Sequence, residues 1–159
     1  LIDDAAVYGK FLVSYAAKRH YTVGSGESEG WLIDDYWNES GSPKRTHVSL
    51  NHHTAEAAFL YRLADATGDE SYAQTAEKMV KGIENTAAKW IMPDGDLYYS
   101  YGNNGRMITG DYPYLTYNDL LELQRLWTKR HGAANEAVSK LMASKLAWMN
   151  KNGITGYNK

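Results

Sequence analysis

The chain of 159 residues contains no cysteine and only three prolines. Without cysteine it can form neither a disulfide framework nor a thiolate metal site. Its apolar runs are a few residues long, far short of the roughly 20 that cross a bilayer. The net charge is only -2, and the lysines and arginines are scattered along the sequence. This pattern predicts neither a nucleic-acid partner nor a membrane span.

The composition that is present favours a folded domain. Hydrophobic residues make up 43% of the chain and charged residues 23%, which is typical of one globular unit with a buried core. We therefore expect a single domain over residues 1–159. Because the sequence starts at Leu1 inside a helical pattern, we also expect it to be part of a longer protein.

Apolar residues recur at helical spacing in five segments. The predicted helices cover residues 3–19, 50–67, 69–90, 116–131 and 133–150. Gly68 and Gly132 end the second and the fourth, and links this short require antiparallel helical hairpins. Thr116 and Asp119 resemble a capping box at the start of the fourth helix.

Two long connections, 20–48 and 92–115, separate these helices, and the sequence GNNG within the second predicts a small β-hairpin at 97–109. Short links on one side and long ones on the other are typical of an α/α toroid. We predict an all-α fold, a partial (α/α) toroid of antiparallel helical hairpins with a small β-hairpin. A closed toroid needs about five to seven hairpins, so we expect self-association through the open flank.

Both long connections are rich in aromatic and acidic residues. Six tyrosines lie within 94–120, and the sequence GWLIDDYWNESG occupies 30–41. Aromatic rings stack on sugar faces while carboxylates and amides bind hydroxyl groups, so a carbohydrate cleft is the leading functional prediction. The residues predicted to contact the substrate are Trp31, Trp37, Asn51, Tyr101 and Arg106.

His52 and Glu56 stand one helical turn apart, a spacing that a metal ion could use. No third ligand of suitable type is evident, so we predict no metal and no cofactor. We expect His52 and His53 to form hydrogen bonds near the start of their helix.

Three segments resemble the C-terminal helical domain of the D-glucuronyl C5-epimerases. They are WLIDDYWNESGSPKRTHVSLN (31–51), DGDLYYSYG (94–102) and DYPYLTYNDLLELQRL (111–126). Their order and approximate spacing agree with the family, and the resemblance covers about residues 31–150. It implies that the chain is the C-terminal part of a longer enzyme acting on a uronate-containing polysaccharide.

The resemblance implies a site that inverts C5 of uronate residues by removing and returning a proton. The family's carboxylate and tyrosine roles fall on Asp35, Tyr36, Tyr98 and Tyr114. Removing a proton α to a carboxylate builds negative charge that nearby groups must stabilise. An epimerase therefore requires a cation close to Tyr98 and Tyr114.

Two other functional classes stay open. A glycoside hydrolase or lyase on the same scaffold needs two carboxylates flanking one bond, which Asp35 with Asp94, Asp96 or Asp111 could provide. A non-catalytic glycan-binding domain needs only an aromatic surface. In all three cases the predicted partner is a glycan.

Overall fold

The computed structural model describes residues 2–36, 45–108 and 110–155, and five α-helices dominate this part of the chain. The elements follow in the order α1 (Ile2–Lys18), β1 (His20–Val23), β2 (Gly30–Ile33), β3 (Val48–Ser49), α2 (Leu50–Thr67), α3 (Glu70–Trp90), β4 (Ser100–Tyr101), β5 (Met107–Ile108), α4 (Leu115–His131) and α5 (Glu136–Lys151). The five predicted helices are confirmed.

Glycine and side-chain caps explain the helix boundaries. Gly68 and Gly132 adopt left-handed conformations, with φ of 74° and 76°, and their N–H groups bond to the last turns of α2 and α4. Asp69 and Asn135 accept hydrogen bonds from the first turns of α3 and α5. The capping box predicted for α4 is wrong, because Tyr114 occupies the N-cap without a side-chain hydrogen bond.

The helices pack as two antiparallel hairpins around one hydrophobic core. α2 contacts α3 and α4, α5 contacts α3 and α4, and α1 lies against α2 and α3. α2 therefore lies beside α4 and α3 beside α5, so the two hairpins pack against each other. Fully buried side chains from several elements form the core, including Leu12, Leu32, Leu60, Tyr61, Met79, Ile83, Trp90 and Leu120.

The first long connection contains structure that its sequence pattern did not predict. β1 and β2 form an antiparallel hairpin in which His20 pairs with Ile33 and Val23 with Gly30. The hairpin lies directly on α3, where Gly30 of β2 meets Gly82. Two residues without side chains allow the two backbones to touch.

A second sheet joins the two long connections. It has three short antiparallel strands in the order β3-β4-β5. The predicted hairpin is confirmed as β4 and β5, which are shorter than expected, and β3 from the first connection adds the third strand. Among the described residues, no helix is long and apolar enough to cross a membrane.

Replacing Gly82 with Ala should destabilise the fold. Alanine favours a helix over glycine by ~1 kcal/mol, but its Cβ would stand 2.2 Å from the backbone oxygen of Trp31. Relieving this clash means moving β2 away from α3, so we expect a net loss of about 2 kcal/mol in the free energy of unfolding, measured by urea denaturation.

Gly9→Ala is the matched control. Its Cβ would meet the side chains of Leu63 and Tyr72, which can rotate aside, so its cost should be smaller. A Gly82→Ala variant as stable as the original chain would contradict the close contact between β2 and α3.

Candidate functional site

The two long connections meet where β3 pairs with β4. Val48 lies opposite Tyr101 and Ser49 opposite Ser100, and the N–H of Leu50 donates to the carbonyl oxygen of Tyr99 at 3.1 Å. The pairing places the start of α2 beside the tyrosine-rich segment. The two connections therefore share one side of the molecule, as the sequence predicted.

Asp35 is the centre of a polar cluster at this junction. Its Oδ1 accepts a hydrogen bond from the Ser49 N–H at 2.7 Å, and its Oδ2 accepts one from the Ser49 hydroxyl. His52 Nδ1 and His47 Nε2 lie 3.2 and 3.3 Å from the same Oδ2. The Asp35 side chain is only 1% exposed. It can therefore act on a bound molecule only through its neighbours.

Tyr99 extends this cluster through Ser49. Ser49 is close enough to affect the pKa of Tyr99. Tyr99 therefore lies beside the serine that bonds to Asp35. Burial raises the pKa of Tyr99, while Ser49 opposes the rise.

Three exposed side chains lie around the Asp35 cluster. Tyr36 is 57% exposed, Tyr112 is 45% exposed, and the His52 side chain is 49% exposed. The His47 ring stands between two phenols, with ring centroids 5.5 Å from Tyr36 and 5.9 Å from Tyr99. Tyr112 meets Tyr99 edge-on at 5.8 Å. A ligand can reach the cluster across these rings.

Two further carboxyl groups near the cluster have raised pKa values. Burial raises the pKa of Glu56 to about 8, and the charge of Asp35 adds to the rise. Burial also raises the pKa of Asp119 to about 6; His52 opposes this rise and Asp111 adds to it. Glu56 is therefore protonated at neutral pH, so it could serve as a proton donor.

Of the four predicted catalytic residues, the structure brings Asp35 and Tyr36 together around His47. Tyr98 is partly buried against the hydrophobic core, and its N–H bonds to the carbonyl oxygen of Trp90 at 2.8 Å. Tyr114 is 43% exposed at the N-cap of α4. The catalytic roles of Tyr98 and Tyr114 stay predictions.

Two of the aromatic substrate contacts predicted from the sequence have packing partners elsewhere. The Trp31 ring stacks on His20 with centroids 4.3 Å apart, and its Nε1 donates to Glu29 at 3.2 Å. The Tyr101 ring lies 5.7 Å from Tyr21, beside the core. These contacts give both rings a structural role.

The other predicted contacts differ in their setting. Asn51 is 4% exposed in the first turn of α2, and its Oδ1 has no hydrogen-bond partner among the described residues. Arg106 is exposed on the turn between β4 and β5. Trp37 lies outside the described residues.

Arg45, the cation nearest to Asp35 in sequence among the described residues, is already engaged. It donates to both carboxylate oxygens of the buried Asp34 at 2.8 to 3.1 Å, and its guanidinium lies 4.0 Å from the Tyr21 ring centroid. The imidazoles of His47 and His52 are the cationic candidates that face Asp35. Among the described residues, no group of three or more histidine or acidic side chains is arranged to hold a metal ion.

The histidine prediction is confirmed. His52 contacts Asp35, and His53 is buried between the N–H of Ile33 and the carbonyl oxygen of Met79. The sequence predicted no role for His47 or Ser49, and Tyr99 and Tyr112 were predicted only as members of the tyrosine-rich connection. The sequence held a partial signal for two of these residues. Alternate residues of an extended segment point the same way, so His47 and Ser49 could have been predicted to lie on one face.

The chain matches no protein-family model, and comparison with curated proteins gives no significant match. The chemistry that the site supports therefore has to follow from its own residues.

Replacing Glu56 with Gln should stabilise the protein at high pH and not at low pH. The folded-state pKa of Glu56 is raised from 4.5 to about 8. Its contribution to stability is thus fully present below about pH 4.5 and is lost as the pH rises through 8. The Gln variant avoids this loss, so it should gain about 1 kcal/mol or more above pH 8, measured by urea denaturation.

His53 provides an internal reference of opposite sign. Burial lowers its pKa from 6.5 to about 4, so its stabilising contribution is present above about pH 6.5 and is lost as the pH falls towards 4. Both proteins should share this loss at acid pH. An identical pH dependence of stability for Glu56→Gln and the original chain would contradict the environment assigned to Glu56.

Proposed function

We propose that the chain is a carbohydrate-active domain that transfers protons at C5 of uronate residues in a polysaccharide, as D-glucuronyl C5-epimerases do. The observation that supports this best is the position of Tyr99 beside Ser49, whose hydroxyl donates to the buried Asp35. In the proposal the Tyr99 hydroxyl donates to Ser49 when the substrate is bound, and this hydrogen-bond chain connects the phenol to a carboxylate that can receive its proton.

The hydrogen-bond chain makes Tyr99 a competent base. A tyrosine with an ordinary pKa of ~10 removes protons poorly at neutral pH, and burial raises the pKa of Tyr99 further. When Tyr99 takes the C5 proton, its own hydroxyl proton passes to Ser49 and the Ser49 proton passes to Asp35. Negative charge leaves Asp35 and appears on the substrate as an enediolate, and no separate tyrosinate is needed.

Inversion requires a second donor on the other face of the sugar. Tyr36 is suitable, because the residue is 57% exposed and its ring contacts His47, as the Tyr99 ring does. In the proposal Tyr36 gives its proton to C5, and exchange with solvent restores both Tyr36 and Asp35.

In the proposal the imidazoles donate hydrogen bonds that stabilise the enediolate. His52 turns Nδ1 towards Asp35, which leaves Nε2 of a half-exposed ring to face the uronate carboxylate. His47 lies on the other side of the same Asp35 oxygen. This arrangement replaces the cation that Arg45 cannot provide while it binds Asp34.

The same geometry favours proton transfer over glycoside hydrolysis. Hydrolysis needs two carboxyl groups that reach the scissile bond, roughly 5 to 10 Å apart. The Asp35 side chain is 1% exposed and enclosed by Ser49, His47 and His52, so it cannot reach an anomeric carbon. A lyase shares the C5 deprotonation but expels the C4 substituent, which would leave an unsaturated product.

We also propose that the two helical hairpins form part of an (α/α) toroid. α1 would then lie at the open flank, where it exposes large apolar residues, namely Ile2, Val7, Tyr8 and Phe11. A groove of about 260 Å³ beside it is lined by Ile2, Ala5, Phe59, Arg62, Leu63 and Ala66. Exposed apolar surface of this kind supports association between copies of the chain.

Deleting the Tyr99 hydroxyl tests the proton-transfer proposal. The full-length protein should exchange the C5 proton of heparosan for deuterium in D₂O, as seen by NMR. Tyr99→Phe should lower this exchange by about 10²-fold or more, because the base and its connection to Asp35 are both lost. The lost hydrogen bond should cost only about 1 kcal/mol of stability.

Tyr61→Phe is the matched control, since it deletes a hydroxyl on a ring that is only 1% exposed and lies in the core. It should keep full exchange. Tyr98→Phe and Tyr114→Phe examine the tyrosines aligned with the family. Full exchange in Tyr99→Phe would refute the proposed base. If the original protein binds heparosan without exchange, it is a glycan-binding domain. An unsaturated product would indicate a lyase.

A double change on α1 tests self-association. Val7→Ser with Phe11→Ser removes apolar groups that are 71% and 42% exposed, so the fold should tolerate both. We expect the original chain to form dimers or larger species in light scattering at high concentration, and the variant to be monomeric. Ile108→Ser, at a site 46% exposed on β5, is the control. A monomeric original chain would contradict this prediction.

A further inference from the structure

Lys145 is a buried cation that the proposed reaction does not use. It lies on α5 and is 0% exposed. Its Nζ is 2.5 Å from Oδ1 of Asp96 and 2.6 Å from Oδ2 of Asp111. A buried ammonium group has a high desolvation cost and needs such partners. The three residues form what we call the lysine clasp.

Both carboxylates of the clasp are fixed by further contacts. Oδ1 of Asp96 also accepts the N–H of Leu97 at 2.7 Å, and Oδ1 of Asp111 accepts the Thr116 hydroxyl at 2.5 Å. One residue before Lys145, the Ser144 hydroxyl donates to the carbonyl oxygen of Gly95 at 2.7 Å. The clasp therefore ties α5 to two separate points of the second long connection.

Each of these two points is close in sequence to a tyrosine of the site. Asp96 precedes Tyr99 by three residues, and Asp111 immediately precedes Tyr112. The chain leaves the clasp at Asp96, forms β4 and β5, and returns to it at Asp111. The Tyr99 and Tyr112 rings then meet edge-on, with centroids 5.8 Å apart and planes at 80°.

An apolar side chain in place of Lys145 would fill the same space without the cost of burying charge. What the ammonium adds is a short hydrogen bond to Asp96 and a short charge contact with Asp111, which together fix the separation of the two carboxylates. Polar contacts of this kind hold a functional geometry better than apolar packing does.

We propose that Lys145 is a positioning residue that sets Tyr99 and Tyr112 against each other at the site. Its effect on catalysis rests on the proposed function, whereas its effect on the two rings does not.

The test compares two ways of removing the clasp. Lys145→Met alone leaves two buried carboxylates without a partner and should unfold the protein or destabilise it strongly. The triple variant Asp96→Asn, Lys145→Met, Asp111→Asn removes all three charges at nearly constant shape and should remain folded. The matched control removes an exposed pair, Lys129→Met with Asp65→Asn, whose atoms are 2.7 Å apart.

The first readout is the contact between the two rings, which can be measured without any catalytic activity. With 3-fluorotyrosine incorporated, replacing Tyr112 with Leu should shift the ¹⁹F signal of Tyr99, because the edge of one ring faces the other. In the triple variant this shift should fall by about fivefold or more, because the two segments are no longer held together. The exposed-pair control should keep the full shift.

The second readout is C5 exchange with heparosan. The triple variant should lose about 10²-fold in kcat, the effect expected of a misplacement near 1 Å, while the exposed-pair control keeps full activity. An unchanged ¹⁹F shift in a folded triple variant would overturn the positioning role. If the original protein shows no exchange activity while the triple variant shows the reduced ¹⁹F shift, the clasp is supported and the proposed function is refuted.

Discussion

The site depends on two residue pairs of antiparallel strand. Val48 opposite Tyr101 and Ser49 opposite Ser100 join connections that are about fifty residues apart in sequence. Ser49 is also the residue before α2, and both its N–H and its hydroxyl bond to Asp35. This short pairing therefore fixes the start of α2, the orientation of the Asp35 carboxylate and its distance from Tyr99.

The two carboxyl groups near this pairing, Asp35 and Glu56, have different surroundings. Asp35 accepts two hydrogen bonds from Ser49 and contacts two imidazoles. Glu56 is one helical turn beyond His52, and burial together with the charge of Asp35 raises its pKa to about 8. Sites that carry out acid and base chemistry together need one group that gives a proton and another that takes one. The cluster thus offers a proton acceptor and a neutral carboxyl group within one region.

The sequence predicted the helices well because their signals are local. Apolar spacing and the glycines at 68 and 132 place α2 and α4 to within a residue or so. The β1–β2 hairpin was missed because its stability comes from a distant contact, the approach of Gly30 to Gly82, and two glycines carry no hydrophobic pattern.

The site was predictable only where its signals are local in the sequence. Asp35 and Tyr36 stand out as an acid beside an aromatic residue in a long connection. His47, Ser49, Tyr99 and Tyr112 acquire their roles only through the register of β3 against β4, and strands of two residues have too little pattern to reveal a register. The clasp was equally hidden, since Lys145 lies on a helix whose sequence gives no reason to bury a cation.

The surroundings of the two neighbouring phenols decide which one can take part in the proposed reaction. Tyr98 packs against the core, and Tyr99 lies beside Ser49. The resemblance to the epimerases aligns Tyr98, but consecutive tyrosines allow the alignment to move by one residue without loss of similarity. The position of Tyr99 next to the serine that bonds to Asp35 favours Tyr99 as the proposed base.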